Sequence, residues 1–198
     1  SNRKSMDYSN FLGMRDELSL LVVIVLLFLY DTFGSVKSLK CFSATACVLL
    51  LAHTIFTIVP GEQVSLFGGM YQSGPATSVI KTILNIGTLL VLIQASSWIK
   101  NEDVIIRRGE YYVLTLITLL GMYLMTSSGN FLLFFLGLET ASLPITALVA
   151  MEKYKHDSHE AAAKYVFIAV FSSALMLLGI SYLYGIGGTL YFDDLSYM

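Results

Sequence analysis

NFLLFFLGLETASLPITALVAM, residues 130–151, holds one charged side chain, Glu139. A run of about 20 mostly apolar residues is long enough to cross a bilayer as a helix. A helix also satisfies its own backbone hydrogen bonds where water is absent. Period-two alternation of apolar and polar residues is missing, so a strand reading fails.

Five further runs read the same way. They are 17–34, with its apolar centre at Leu18–Tyr30, then 41–59, 78–98, 111–127 and 161–185. The expected fold is an all-α membrane protein, a bundle of about six transmembrane helices. The 198 residues divide into a polar tail (1–16), three helices (17–98), a basic loop (99–110) and a second group of helices (111–198). The connection 60–77 contains Pro60, Pro75 and several glycines and serines, and reads as an irregular or re-entrant segment.

Composition agrees. Hydrophobic residues make up 56% and charged residues 13%, about half the charge of an ordinary soluble domain. Mean hydropathy is +0.71. A net charge of −2 gives no basic surface for nucleic acid, so none is expected as a partner, whereas the lipid bilayer is. Cys41 and Cys47 lie in an apolar run and suggest neither a disulfide framework nor a zinc site. Asp16 and Glu17 beside the first run, and the lack of a small-residue cleavage site after Tyr30-Asp31, argue against a signal peptide.

Loop lysines and arginines set orientation. Lys37, Lys40, Lys100, Arg107, Arg108, Lys153 and Lys155 fall on one side if the N-terminus is outside, and loops 60–77 and 128–130 hold none. Arg3, Lys4 and Arg15 argue the other way. Residues 1–5 precede Met6 and read equally as an added or a native extension.

Ionisable groups at membrane depth are costly and therefore mark function. Glu139 stands about nine residues into its helix, roughly 14 Å deep at 1.5 Å per residue. A carboxyl held away from water there can exchange a proton near neutral pH. Pro144 follows five residues later, removes the helical donor for the Thr140 carbonyl and favours a bend beside the acid. Lys164 follows Glu160 by four residues, a favourable helical pair. Its depth places it away from Glu139, and it either snorkels or serves the proton path. Lys81, near the outer end of the third helix, is expected to snorkel, with a relay role as the alternative. His53, alone in the second helix, reads as a packed, hydrogen-bonded histidine or a secondary relay. His156 and His159 have no third ligand at suitable spacing, so no metal site is expected. Trp98, Tyr111, Tyr112, Tyr182 and Tyr184 are expected in interfacial belts. Gly137, Ala141, Ala147, Ala169, Ser172 and Ser173 should let helices approach closely. Gly185–Gly188 reads as a helix end.

From Gly109 onward four motifs occur in combination: GEYY (109–112), FLGLE (135–139), EAAAKY (160–165) and GISYLYGIGGT (179–189). Together they resemble the antiporter-like subunits of respiratory complex I, the proton-pumping NADH–quinone oxidoreductase. The third helix matches more loosely, and the first 77 residues only by hydropathy and position. The resemblance implies the N-terminal part of a fold of about fourteen helices built from inverted repeats, with residues 111–198 opening one repeat. It implies a proton half-channel in which Glu139 is central and Lys164 takes part, a translocase role without redox chemistry of its own, and no cofactor bound by this chain. NADH, flavin, iron–sulfur clusters and quinone would belong to partner subunits, with neighbouring antiporter-like subunits as the nearest partners. A bacterial cytoplasmic membrane would be the location. The family's lysine on the seventh helix lies beyond Met198, so a longer chain or a truncated product is expected. A subunit of a multi-subunit Na+/H+ antiporter is the alternative, and an inert membrane scaffold is a third reading.

Overall fold

The computed structural model describes residues 9–34, 41–99, 107–151 and 156–197. Lys37, Lys40, Lys100, Lys153, Lys155, most of the expected basic loop and the His156 side chain lie outside the described residues. Each of the six apolar runs forms a helix. These are α2 (Arg15–Phe33), α3 (Phe42–Ile58), α4 (Pro75–Trp98), α5 (Arg108–Thr126), α6 (Phe131–Val149) and α7 (His156–Gly187). Short helices α1 (Ser9–Leu12) and α8 (Phe192–Leu195) flank them. By length and composition Pro75–Trp98, Phe131–Val149 and Asp157–Gly187 can each cross a membrane, and α3 is apolar but shorter.

Local chemistry sets the helix ends. Pro75 is the first residue of α4, where a missing N–H costs nothing. The Thr77 hydroxyl accepts from the Gly74 N–H at 2.9 Å. The Asn130 side chain accepts from the Leu133 N–H at 2.9 Å and caps α6. Gly188, at φ +65°, follows the end of α7 as expected of a glycine stop. Among the described residues α7 runs from His156, five residues ahead of the expected 161, and carries Asp157 in its first turn, where an acid suits the helix dipole.

Consecutive long helices run in opposite directions. At one end the Tyr30 and Phe42 rings stack at 5.6 Å, Arg108 lies over Phe42, and the Asp31 carboxylate packs on Gly109. At the other end residues 60–77 form a two-stranded hairpin rather than an irregular loop. Strand β1 (Val64–Leu66) pairs antiparallel with β2 (Tyr71–Ser73) across a 3-10 turn, Phe67–Gly69. Phe67, Gly68 and Gly69 all have positive φ, which glycine adopts freely. Strands of three residues are too short to show a period in sequence. The hairpin is stitched to its surroundings: the Gln72 N–H donates to the Ser127 carbonyl and the Gly129 N–H to the Met70 carbonyl. The Phe131 N–H donates to the Leu190 carbonyl, and Asn130 bridges Tyr191.

The core lies among α2, α3, α4 and α5, where Leu20, Leu27, Leu50, Leu92, Leu116 and Leu119 are fully buried. Tyr112 belongs to this core and not to an interfacial belt. It is fully buried and donates to the Leu92 carbonyl at 3.2 Å. Tyr182, Tyr184 and Trp98 are exposed. α6 packs on α5 through small residues: an added Cβ on Gly121 would sit 2.7 Å from the Gly137 carbonyl oxygen. α7 leans on α6 and presents Phe167, Ile168, Val170 and Phe171 outward.

Candidate functional site

Glu139 is the ninth residue of α6, at its middle. α6 stays helical through the buried Pro144. The carboxylate is half-buried and accepts a hydrogen bond from the Ser173 hydroxyl of α7. It lines a cavity of about 410 Å³ between these helices with Phe135, Thr146, Val166, Ser173 and Leu177. Ala169 and Ser173 keep side-chain bulk low where the helices meet, leaving an apolar groove with one acid in it.

Lys164 lies nine residues before Ser173 on α7, about 13 Å along the axis. Its ammonium pairs with Glu160 at 2.5 Å, and its side chain is 71% exposed. Glu139 and Lys164 are thus partnered separately.

Lys81 departs from the snorkelling expectation. Its side chain is fully buried, and its Nζ donates to Glu17 Oε1 at 2.7 Å and lies 3.6 Å from Asp16 Oδ2. Tyr71 donates from its hydroxyl to the other oxygen of Glu17 at 2.7 Å. The ammonium also lies over the rings of Tyr71 and Tyr123, at 5.5 and 5.3 Å. A lysine with counter-charges at hand need not reach for the interface. Arg15 completes the set, with its Nε 3.3 Å from Asp16 Oδ1 and its guanidinium donating to the Val59 carbonyl at 2.7 Å. Two carboxylates thus face two cations. Burial and the charge of Glu17 push the Tyr71 phenol well above its ordinary value, so it remains a donor.

His53 is buried and uses both ring nitrogens: Nδ1 lies 2.8 Å from the Ser19 hydroxyl and Nε2 2.9 Å from the Tyr123 hydroxyl. Tyr123 donates to the side-chain carbonyl of Asn85, whose amide donates to Thr57 at 3.1 Å. A connected polar network therefore crosses α2, α3, α4 and α5.

In sequence Asp16 and Glu17 read as acids flanking the first apolar run, and Tyr71, Asn85 and Tyr123 carry no assigned role. A signal was present. Ser78, Lys81, Asn85 and Thr88 recur every three or four residues in an otherwise apolar helix, so they share one face. All four are buried.

The fold and these sites define a helical membrane protein with charged groups held between its helices. Residues 128–198 match the family model described as NADH:quinone oxidoreductase/Mrp antiporter, TM. Over 190 residues the chain is 52% identical to the NADH-quinone oxidoreductase subunit N of Phocaeicola vulgatus, covering 96% of this chain and 40% of that protein. It is 34% identical to the protein of the same name in Neisseria gonorrhoeae, over 92% of this chain and 38% of that one. A chain of respiratory complex I from Thermus thermophilus with bound aureothin superposes with a TM-score of 0.65 at 26% identity, over 89% of this chain and 38% of that chain. A chain of the archaeal membrane-bound sulfane sulfur reductase shares the fold, with a TM-score of 0.68 at 18% identity, over 94% of this chain and 40% of that chain. The chain belongs to this family of antiporter-like membrane proteins, and it spans about two fifths of the length of the curated relatives it matches.

Proposed function

We propose that the chain is the N-terminal part of a membrane-arm subunit of a proton-pumping NADH–quinone oxidoreductase, and that it contributes a proton half-channel. The observation that carries this reading is Glu139, a carboxyl midway along α6, hydrogen-bonded to Ser173 across an otherwise apolar groove. At that depth a group that gains and loses a proton is an exchange site. Quinone reduction elsewhere in the complex supplies the driving energy, and two protonation states of Glu139 with different partners supply the differential interaction that a population shift needs. The role is a translocase role without redox chemistry. NADH, flavin, iron–sulfur clusters and quinone are held by other subunits, and neighbouring antiporter-like subunits flank this one. The location is a bacterial cytoplasmic membrane with the N-terminus outside, so that the hairpin end faces out. We assign Lys164, exposed on α7 and paired with Glu160, to the same proton path on the strength of the EAAAKY motif.

The test is proton pumping per NADH oxidised in native membranes. Glu139→Ala and Glu139→Gln should lower it strongly while the complex still assembles. An unchanged ratio in an assembled complex overturns the reading.

A further inference from the structure

We propose that the groove between α2 and α3 is a phospholipid site, with one acyl chain laid along Ser19 and Ala52 and the lipid phosphate accepting from the Arg15 guanidinium. The proposal goes beyond the half-channel reading and does not depend on Glu139. The groove has a volume of about 540 Å³ and is lined mainly by apolar side chains, Leu18, Val22, Leu49 and Phe56 among them. Its course follows from the packing of the two helices. Arg15 lies over the Phe56 ring at 5.1 Å, the Ser19 hydroxyl meets His53 Nδ1 at 2.8 Å, and Val23 and Leu49 line the far end. Arg15 to Val23 is about 12 Å along the axis at 1.5 Å per residue. One leaflet of the apolar core of a bilayer is about 15 Å deep. The groove therefore runs from the hairpin end of the bundle to near the midplane, which is the path of one acyl chain. Ser19 and Ala52 are small and leave the space open. The Ser19 hydroxyl and the His53 ring satisfy each other, so they add no unpaired polar group to the floor.

The mouth differs from the floor. The Arg15 side chain is 35% exposed, whereas the Asp16 side chain beside it is 5% exposed. The cation thus faces out and its counter-charge faces in. Nε lies 3.3 Å from Asp16 Oδ1, and Nη2 donates to the Val59 carbonyl at 2.7 Å. Among the described residues Nη1 has no partner, and its two N–H groups remain for an acceptor. A guanidinium suits phosphate oxygens, because its planar fork of donors matches their spacing. Arg15 also borders a separate cavity of about 240 Å³ beside Asp16, with Tyr71 and Ser73; Glu62 lines that cavity and not the groove. A lipid without phosphate meets here only an apolar surface, as it does on the outward face of α7. The phosphate contact is what makes the groove a site.

The experiment uses the assembled complex in native membranes. Phosphatidylglycerol carrying a diazirine midway along one acyl chain is added and photolysed, and labelled peptides are mapped by mass spectrometry. In wild type, residues 18–23 and 49–56 should label more strongly than residues 167–171 on the outward face of α7. Excess unlabelled phosphatidylglycerol should remove that label, and excess diacylglycerol, which lacks phosphate, should not. Arg15→Gln should lower it about tenfold, as loss of a hydrogen bond to a charged group does. Ala52→Phe fills the groove, leaves Arg15 in place and should also lower the label. Wild-type labelling no stronger than that of α7 overturns the proposal, whether bulk lipid or a neighbouring subunit lies on the groove. Equal competition by diacylglycerol in wild type also overturns it, and that readout needs no variant to assemble. Full labelling in assembled Arg15→Gln or Ala52→Phe overturns it as well.

Discussion

At Lys81 a buried ammonium meets two carboxylates and two aromatic faces. Removing one partner of a buried pair is expensive, about 3–5 kcal/mol, because the other charge is left alone. Lys81→Met should therefore destabilise far more than Lys164→Met, whose lysine is largely exposed. Thermal aggregation of the solubilised complex checks this. Gly109 makes a second residue-scale case. A Cβ there would stand 1.9 Å from Asp31 Cγ. Gly109→Ala should destabilise by about 1–3 kcal/mol, as overpacking does, and Asp31→Ala in the same chain should recover part of the loss. Equal stability of the single and double variants would show that the contact is unimportant.

The helix pair α5–α6 depends on two glycines facing each other. A Cβ on Gly121 would lie 2.3 Å from the Ala141 nitrogen, and one on Gly137 would lie 2.7 Å from the Met125 nitrogen. The obstacles are backbone, so no side-chain rotation relieves them. Without a hydrophobic drive between helices in lipid, such close packing holds the pair together. Gly137→Leu should separate α6 from α5 and reduce the amount of assembled complex on native gels, whereas Leu136→Ala, at an outward position, should leave it unchanged. Pro144→Ala acts within one helix. It returns a donor to the Thr140 carbonyl and stiffens α6 beside Glu139. The expected result is normal assembly with a lower pumping ratio, and a ratio equal to wild type would separate the proline from coupling.

Across the molecule, one end of the bundle is a woven cap: hairpin, residues 127–130 and residues 189–192 share backbone hydrogen bonds. Gly129 sits where an added Cβ would be 2.0 Å from the Gly69 carbonyl oxygen. Gly129→Val should push the hairpin off the bundle and expose 60–77 to protease added at that membrane face. Resistance equal to wild type would refute the docking role. The cap also walls the cavity beside Asp16 through Tyr71 and Ser73.

The long helices were legible in the chain itself. A bilayer requires internally bonded backbone and long apolar runs, and both are local properties. Glu139 was legible for the same reason, as a lone acid inside such a run. The polar face Ser78–Lys81–Asn85–Thr88 was equally present, but its partners were not. Tertiary structure alone decided that Lys81 is buried with Asp16 and Glu17, that Tyr112 lies in the core, and that residues 64–73 form a hairpin. Charge pairing falls off with distance, so it depends on how α2 sits in register against α4. Residues 64 apart in sequence meet only when the whole bundle has closed.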